Sequence, residues 1–249
     1  MNDAIGLGQT CRLDIIHATS AALWGDARSA CDDALAQGSA FVAVLRGAEA
    51  FADENLLGTD DRQRAARFRQ PRDRHNFVLG RTLAHHLVRA QGAAGPCIFS
   101  LGPNGKPYLP GGPAYNLSHS GNWIACAVSR HEPIGIDVET FARLNDHRML
   151  LPTIAHPAER SHIEQAPEGD HLALFKRCWT RKEAVLKATG KGIGGELQSI
   201  DVRLHQHEPV LHHPVPLRLV DLPMDEEAGV TISLALDPRV SAVVAMVIA

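Results

Sequence analysis

A mixed α+β fold in two similar halves is predicted by three features of this sequence. A long helical stripe followed by short apolar strands occurs twice along the chain. The strands are separated by Gly, Pro and Asn turns. Arg130 to Pro133 has the character of a boundary and falls between the two runs. Residues 1-132 and 133-249 are therefore expected to pack face to face as two α+β units. The chain has 249 residues, 45% of them hydrophobic and 21% charged, enough to bury a substantial core in either one large domain or two.

In the first half, Phe41 to Arg46 has strand composition. Thr59-Asp60-Asp61 offers an N-cap with acids in the first turn, starting a basic helix expected to reach Gln70, where Pro71 ends it. Asp73 can cap a second helix that carries Phe77, Leu83, Leu87 and Val88 and stops at Gly92. Short strands are expected around Cys97 to Leu101, Ala114 to Ser118, Trp123 to Ser129 and Ile134 to Glu139. In the second half, Pro157 behind His156 starts a short helix. A long helix is expected from Asp170 to Thr189, with Leu172, Phe175, Trp179 and Leu186 on one stripe and Gly190 as its C-cap. Strands near Ile200 to Leu204, Leu217 to Val220, Val230 to Leu236 and Val240 to Ile248 complete the expectation.

The net charge of -3 argues against a chain-wide nucleic-acid binder, although Arg62 to Arg89 contains eight Arg against the single acid Asp73. That segment suits a solvated helix face, a phosphate site or a nucleic-acid patch. Few aromatics interleave with it, which weakens single-strand stacking. The five Cys are scattered and contain no CxxC pair, so neither a disulfide framework nor a thiolate zinc site is indicated and a reducing compartment follows. The 14 His include the pairs His85-His86, His205/His207 and His212-His213, but no third ligand is specified, and surface or lightly buried imidazoles are expected. The N-terminus lacks a basic region followed by an apolar stretch, and the apolar tail from Val240 is too short to span a bilayer. A cytoplasmic protein with no membrane partner is expected.

Two blocks carry the chemistry. Ile134-Gly135-Ile136-Asp137-Val138-Glu139 puts two carboxylates at i and i+2, on one face if this is a strand. Trp179 through Gly192 puts Glu183 and Lys187 at i and i+4, one helical turn apart on one face. Three acids and an ammonium in one cleft would suit a hard cation beside a phosphate. Lysine is scarce: Lys106, Lys176, Lys182, Lys187 and Lys191 are the only five among 25 Lys and Arg. Where a chain prefers the planar arginine fork, a lysine can mark a site that needs a point charge, but Lys176, Lys182 and Lys191 are equally compatible with solvated helix cations.

With Gly105-Lys106-Pro107-Tyr108-Leu109 and Tyr115-Asn116-Leu117-Ser118-His119-Ser120-Gly121 added in order and spacing, the chain resembles the Sfp-type 4′-phosphopantetheinyl transferases over about 90 residues, Gly105 to Leu197. The resemblance implies two α/β halves with pseudo-twofold symmetry and an active site in the cleft between them, residues 1-132 facing the adenine and 3′-phosphate of coenzyme A and 133-249 carrying the metal site and catalytic helix. It implies transfer of the 4′-phosphopantetheine arm of coenzyme A to a serine of an apo acyl or peptidyl carrier protein, Mg²⁺-dependent, with release of adenosine 3′,5′-bisphosphate. It further implies a monomer that does not bind nucleic acid.

The site residues implied are Asp137, Glu139 and Glu183 for Mg²⁺ and Glu183 with Lys187 for catalysis. Arg64, Arg81, Lys106, Pro107, Ser118, His119, Asp137 and Lys187 are implied for coenzyme A. Either Glu183 or a metal-bound water could take the serine proton, since a cation lowers the pKa of a carboxylate bound to it. An adjacent Ser and His also invites a hydrolase reading, but Ser118 stands where a G-x-S-x-G elbow around Ser120 would need its first Gly. A non-catalytic module that binds coenzyme A or a carrier protein is the alternative, and the presence of all three acids and Lys187 argues against it. Residues 1 to about 58 carry no matching motif, and Trp179 is expected to be core.

Overall fold

Alternating apolar residues build two large sheets, each covered by helices on its outer side, beside a two-stranded ribbon of β3 and β4, in a computed structural model that describes residues 12–17, 23–47, 51–89, 95–140, 147–191, 197–212, 214–224 and 228–248. The first part of the chain forms β1 (Arg12–His17), α1 (Leu23–Ala36), β2 (Ala40–Arg46), α2 (Thr59–Ala65) and α3 (Pro71–Val88). Then follow β3 (Ser100–Leu101), β4 (Pro107–Tyr108), β5 (Ala114–Ser120), β6 (Trp123–Ser129) and β7 (Ile134–Glu139). The remainder forms α4 (His147–Ile154), α5 (Pro157–Gln165), α6 (His171–Thr189), β8 (Val210–His212), β9 (Pro216–Asp221), β10 (Thr231–Leu236) and β11 (Ala242–Ile248).

The first sheet has the order β1-β11-β2-β6-β5 and the second β7-β10-β9-β8. The fold is mixed α+β, as expected. Phe41, Ala43, Leu45, Cys126 and Val128 on one face of the first sheet pack under α1 and α3, with Cys31, Leu83 and Leu87. The opposite residues of the same strands, Val42, Val44, Ala125 and Ala127, meet Ile134, Ile136, Val138, Ile232 and Leu234 of the second sheet. The outer face of the second sheet, including Leu217, Leu219 and Ala235, is covered by Phe175, Cys178, Ala184 and Val185 of α6. Period-two alternation thus serves two cores at once. β11 lies between β1 and β2, parallel to both, so the end of the described chain sits inside the sheet formed by its beginning.

Local signals act as expected at several ends. His156 accepts from the Ala158 amide while Glu159 accepts from the His156 amide, a capping box with Pro157 in the first turn of α5. Gly190 closes α6 in the left-handed region at φ 67°. Other expectations are corrected. α2 ends at Ala65, and Pro71 opens α3 instead of merely ending α2. The stop expected at Gly92 lies outside the described residues. Residues 200 to 204 are not a strand: Ile200, Val202 and Leu204 are buried as a strand would bury them, but buried side chains satisfy much of their backbone. Leu172, expected on the apolar stripe of α6, is 39% exposed.

Candidate active site

Gly135 is the point from which the site is built. A Cβ there would lie 2.1 Å from the Ala184 carbonyl oxygen and 2.4 Å from the Ala188 amide nitrogen, so only glycine lets α6 press its backbone onto β7. Asp137 and Glu139 follow Gly135 at alternate positions, with Ile134, Ile136 and Val138 turned into the core between the sheets. Ala184 and Ala188 occupy the contact with Gly135, and Glu183 and Lys187, each one residue earlier, come to the acids.

Lys187 Nζ lies 2.6 Å from Asp137 Oδ1 and 2.7 Å from Ser118 Oγ. Ser118 Oγ also donates to Asp137 Oδ1 at 3.1 Å and accepts from the Val138 amide at 3.2 Å. Its one proton and both acceptor positions are therefore engaged. Glu139 Oε2 accepts from Ser120 Oγ at 2.9 Å. Asp137 Oδ2 and Glu183 Oε1 are buried without a hydrogen-bond partner. Burial raises the pKa of Glu183, Asp137 raises it further, and Lys187 only partly opposes this. Glu139 is raised likewise by burial, against the hydrogen bond from Ser120. Three carboxylates around one ammonium leave the site acidic, with two oxygens awaiting a donor or a cation. Among the described residues, no three His, Cys, Asp or Glu side chains gather into a metal cage of their own.

Lys106 and Pro107 are brought to the same place. A cavity of about 220 Å³ is lined by Gly105, Lys106, Pro107, Glu183, Leu186 and Lys187. A second, of about 400 Å³, continues past Tyr108 and Pro133. The Lys106 ammonium points inward, donating to the Ile134 carbonyl at 2.8 Å and the Ala188 carbonyl at 3.2 Å, and burial lowers its pKa. It thus pins the β4 segment to both β7 and α6.

Residues 133–221 match the model of the 4′-phosphopantetheinyl transferase superfamily. The chain is 33% identical over 187 residues to the 4′-phosphopantetheinyl transferase HetI of Nostoc sp., covering 72% of this chain and 78% of that one. It is 31% identical to a 4′-phosphopantetheinyl transferase of Bacillus subtilis, covering 72% and 82%. With 4′-phosphopantetheinyl transferase Sfp of Bacillus subtilis the identity is 30%, covering 61% and 68%. The chain belongs to the 4′-phosphopantetheinyl transferase family. It is an enzyme, a transferase.

The remaining residues that the resemblance singles out in this transferase lie apart from the acids or at their rim. His119 is exposed beside Lys187, Asp73 and Arg72; partial desolvation, then the Lys187 charge, lowers its pKa despite Asp73. Arg64 lies over the Phe77 ring at 5.3 Å. Arg81 is buried, ion-paired to Asp61 at 3.0 Å, and lies 5.2 Å from the same Phe77 ring and 4.8 Å from Phe99.

Lys182 is a correction. Instead of a solvated cation it is fully buried, paired to Glu159 at 2.8 Å, and it donates to the Leu197 carbonyl at 2.8 Å and to the Ile200 carbonyl. Arg181, also fully buried, binds Asp221 and the carbonyls of Val202, Arg203, Gln206 and His207. No local pattern announces these partners, since both acids are remote in sequence. Trp179, expected in the core, packs against the core cluster of α6 while only partly buried, and its side chain reaches Glu139, one turn before Glu183 on the same helix.

Proposed function

We propose that this transferase moves the 4′-phosphopantetheine arm of coenzyme A to a serine hydroxyl of an apo acyl or peptidyl carrier protein, with Mg²⁺, and releases adenosine 3′,5′-bisphosphate. The observation that carries the reading is the pair of buried, unpartnered oxygens, Asp137 Oδ2 and Glu183 Oε1, beside the Lys187 ammonium. Orphaned carboxylate oxygens in an acidic site fit a hard cation that takes its other ligands from water and pyrophosphate. Asp137, Glu139 and Glu183 would hold Mg²⁺. When bound, the ion would neutralise pyrophosphate charge.

In the transfer the serine oxygen bonds to the phosphorus that carries the pantetheine arm, and the bridging oxygen leaves with the adenosine bisphosphate. Lys187, held by Asp137 and Ser118, donates to a phosphate oxygen where charge develops. Glu183, or a water held beside it in the cavity, accepts the serine proton. Lys106 and Pro107 line the adenosine side. Arg64 and His119 take the 3′-phosphate, and Arg81 supports Arg64 from the other contact on Phe77.

We further propose that the chain acts as two halves, 1-132 and 133-249, related by a pseudo-twofold axis with the site in their cleft, β11 crossing back to complete the first sheet. Asp137, Ser118, Glu183 and Lys187 meet within one chain, which supports a monomer. Cys31, Cys97, Cys126 and Cys178 are buried free thiols, which supports a reducing cytoplasmic location. No helix among the described residues is long and apolar enough to cross a membrane.

The test is mass spectrometry of an apo carrier protein after incubation with the enzyme, coenzyme A and Mg²⁺. A mass increase on the carrier serine, lost on omission of Mg²⁺ and in Glu183→Gln, is expected. No increase on acyl or peptidyl carriers with folded enzyme would overturn the proposal. Replacing Arg64 or His119 should weaken coenzyme A far more than dephospho-coenzyme A; equal losses would refute the 3′-phosphate assignment.

A further inference from the structure

β5 and β7 are edge strands of different sheets, and edge strands carry backbone N–H groups that need partners. Here side chains of β5 supply them. Asn116 Oδ1 accepts from the Ile136 amide at 2.9 Å, Ser118 Oγ from Val138 at 3.2 Å and Ser120 Oγ from Thr140 at 3.2 Å. Each rung advances two residues on both strands, so the strands run in the same direction, joined by side chains in place of a ladder.

The residues of β7 that alternate with these amides are Gly135, Asp137 and Glu139. At the first rung the partner is a glycine, against which α6 packs. At the second, Ser118 Oγ donates to Asp137 Oδ1, and at the third, Ser120 Oγ donates to Glu139 Oε2. Ser120 Oγ is also 3.3 Å from Thr140 Oγ1, which can supply its last hydrogen bond. Asn-x-Ser-x-Ser in β5 and Gly-x-Asp-x-Glu in β7 are therefore two sides of one seam.

We infer that Ser118 and Ser120 are positioning residues that orient Asp137 and Glu139 through this seam, with Ser120 the residue that sets Glu139 for the divalent cation. Ser118, bonded at once to Asp137, Val138 and Lys187, ties the acid, the strand backbone and the ammonium together. The inference rests on the Mg²⁺ role given to these acids above. A hydroxyl that holds both a carboxylate oxygen and the adjacent backbone fixes the carboxylate's rotamer before any cation arrives, and such supporting partners govern metal affinity.

The experiment is isothermal titration of Mg²⁺ into the full-length enzyme with saturating coenzyme A and no carrier protein, so that binding is read without turnover. Ser120→Ala should weaken Mg²⁺ binding by about 10-fold or more, the usual scale for losing a partner of a metal ligand. Ser120→Thr, which keeps the hydroxyl, should restore most of that affinity, an outcome that a general loss of packing would not give. Should Ser120→Ala not fold, Ser120→Cys, of similar volume but with a weak thiol donor, takes its place. Wild-type binding left unchanged by the folded Ser120 variants would overturn the inference alone. Absence of Mg²⁺ binding by the wild type would overturn the metal reading and the inference with it.

Discussion

Two of the three lysines of α6, Lys182 and Lys187, are each paired with a buried acid, and the two pairs are built for opposite purposes. Lys182 and Glu159 are each 1% exposed in their side chains. Glu159 Oε1 accepts from the Val202 amide, and Oε2 receives the His156 amide and the Cys178 thiol besides Lys182. Every oxygen in that pair has a donor. In the other pair Lys187 is 29% exposed and Asp137 4%; Asp137 Oδ1 takes two donors while Oδ2 has none, and Glu183 Oε1 nearby is bare as well. A filled network locks a fold, whereas unfilled buried oxygens beside a cavity are costly unless something binds them. Side-chain satisfaction, together with the deeper burial of Lys182, and not the presence of an ion pair, separates the structural lysine from the functional one.

The largest expected effect breaks the structural pair. Lys182→Ala should cost about 3–5 kcal/mol of stability by leaving Glu159 buried without its cation, measured by denaturant unfolding. A change under about 1 kcal/mol, the range of exposed ion pairs, would mean the two lysines do not differ as argued. Next, Lys187→Ala should lower kcat by about 10²-fold or more, the scale of losing one well-placed donor, with a smaller loss of stability than Lys182→Ala because Ser118 still donates to Asp137. Lys187→Arg should rescue poorly, because a planar fork does not replace a point donor wedged between Asp137 and Ser118. A kcat near wild type in Lys187→Ala would turn the comparison around.

Gly135→Ala sharpens it from the helix side. The added methyl meets backbone atoms of Ala184 and Ala188 that cannot rotate away. A loss of about 3 kcal/mol is expected in unfolding experiments, accompanied by reduced activity as α6 is levered off β7. Wild-type activity with intact stability would show that the close approach is dispensable. The smallest effect belongs to Arg148→Ala, whose partner Glu168 lies in the open, with side chains 62% and 80% exposed. No measurable change in the unfolding midpoint is expected, and a clear loss would contradict the ranking by satisfaction.

The same distinction explains what was legible in the sequence. Features whose cause lies within a few residues were readable: the His156-Pro157 start, the Gly190 stop and the alternation that sets Asp137 and Glu139 apart from the core face of β7. The spacing of Glu183 and Lys187 likewise put both on one turn of α6. Features caused by remote partners were not. Lys182 looks like any helix cation until Glu159 is folded against it. Residues 200 to 204 have strand alternation, yet their backbone is taken by Glu159, Arg181 and Lys182 in place of a neighbouring strand. β1 and α1 carry no motif and were not anticipated. Lys106 lines the cavity beside Glu183 and Lys187, but its inward turn onto two carbonyls depends on where β7 and α6 end up.

The position of β11 sets the order of events in synthesis. Val243 pairs with Ala40 and Ala242 with Arg12, so the sheet carrying β5 has a gap between β1 and β2 until almost the whole described chain has left the ribosome. Local helices can form early, but this sheet closes on one of the most distant pairings in the molecule, which makes closure slow and leaves β1 and β2 with open edges meanwhile. A nascent chain stalled before residue 242 would therefore hold every residue assigned to the active site and still lack the strand that joins β1 to β2.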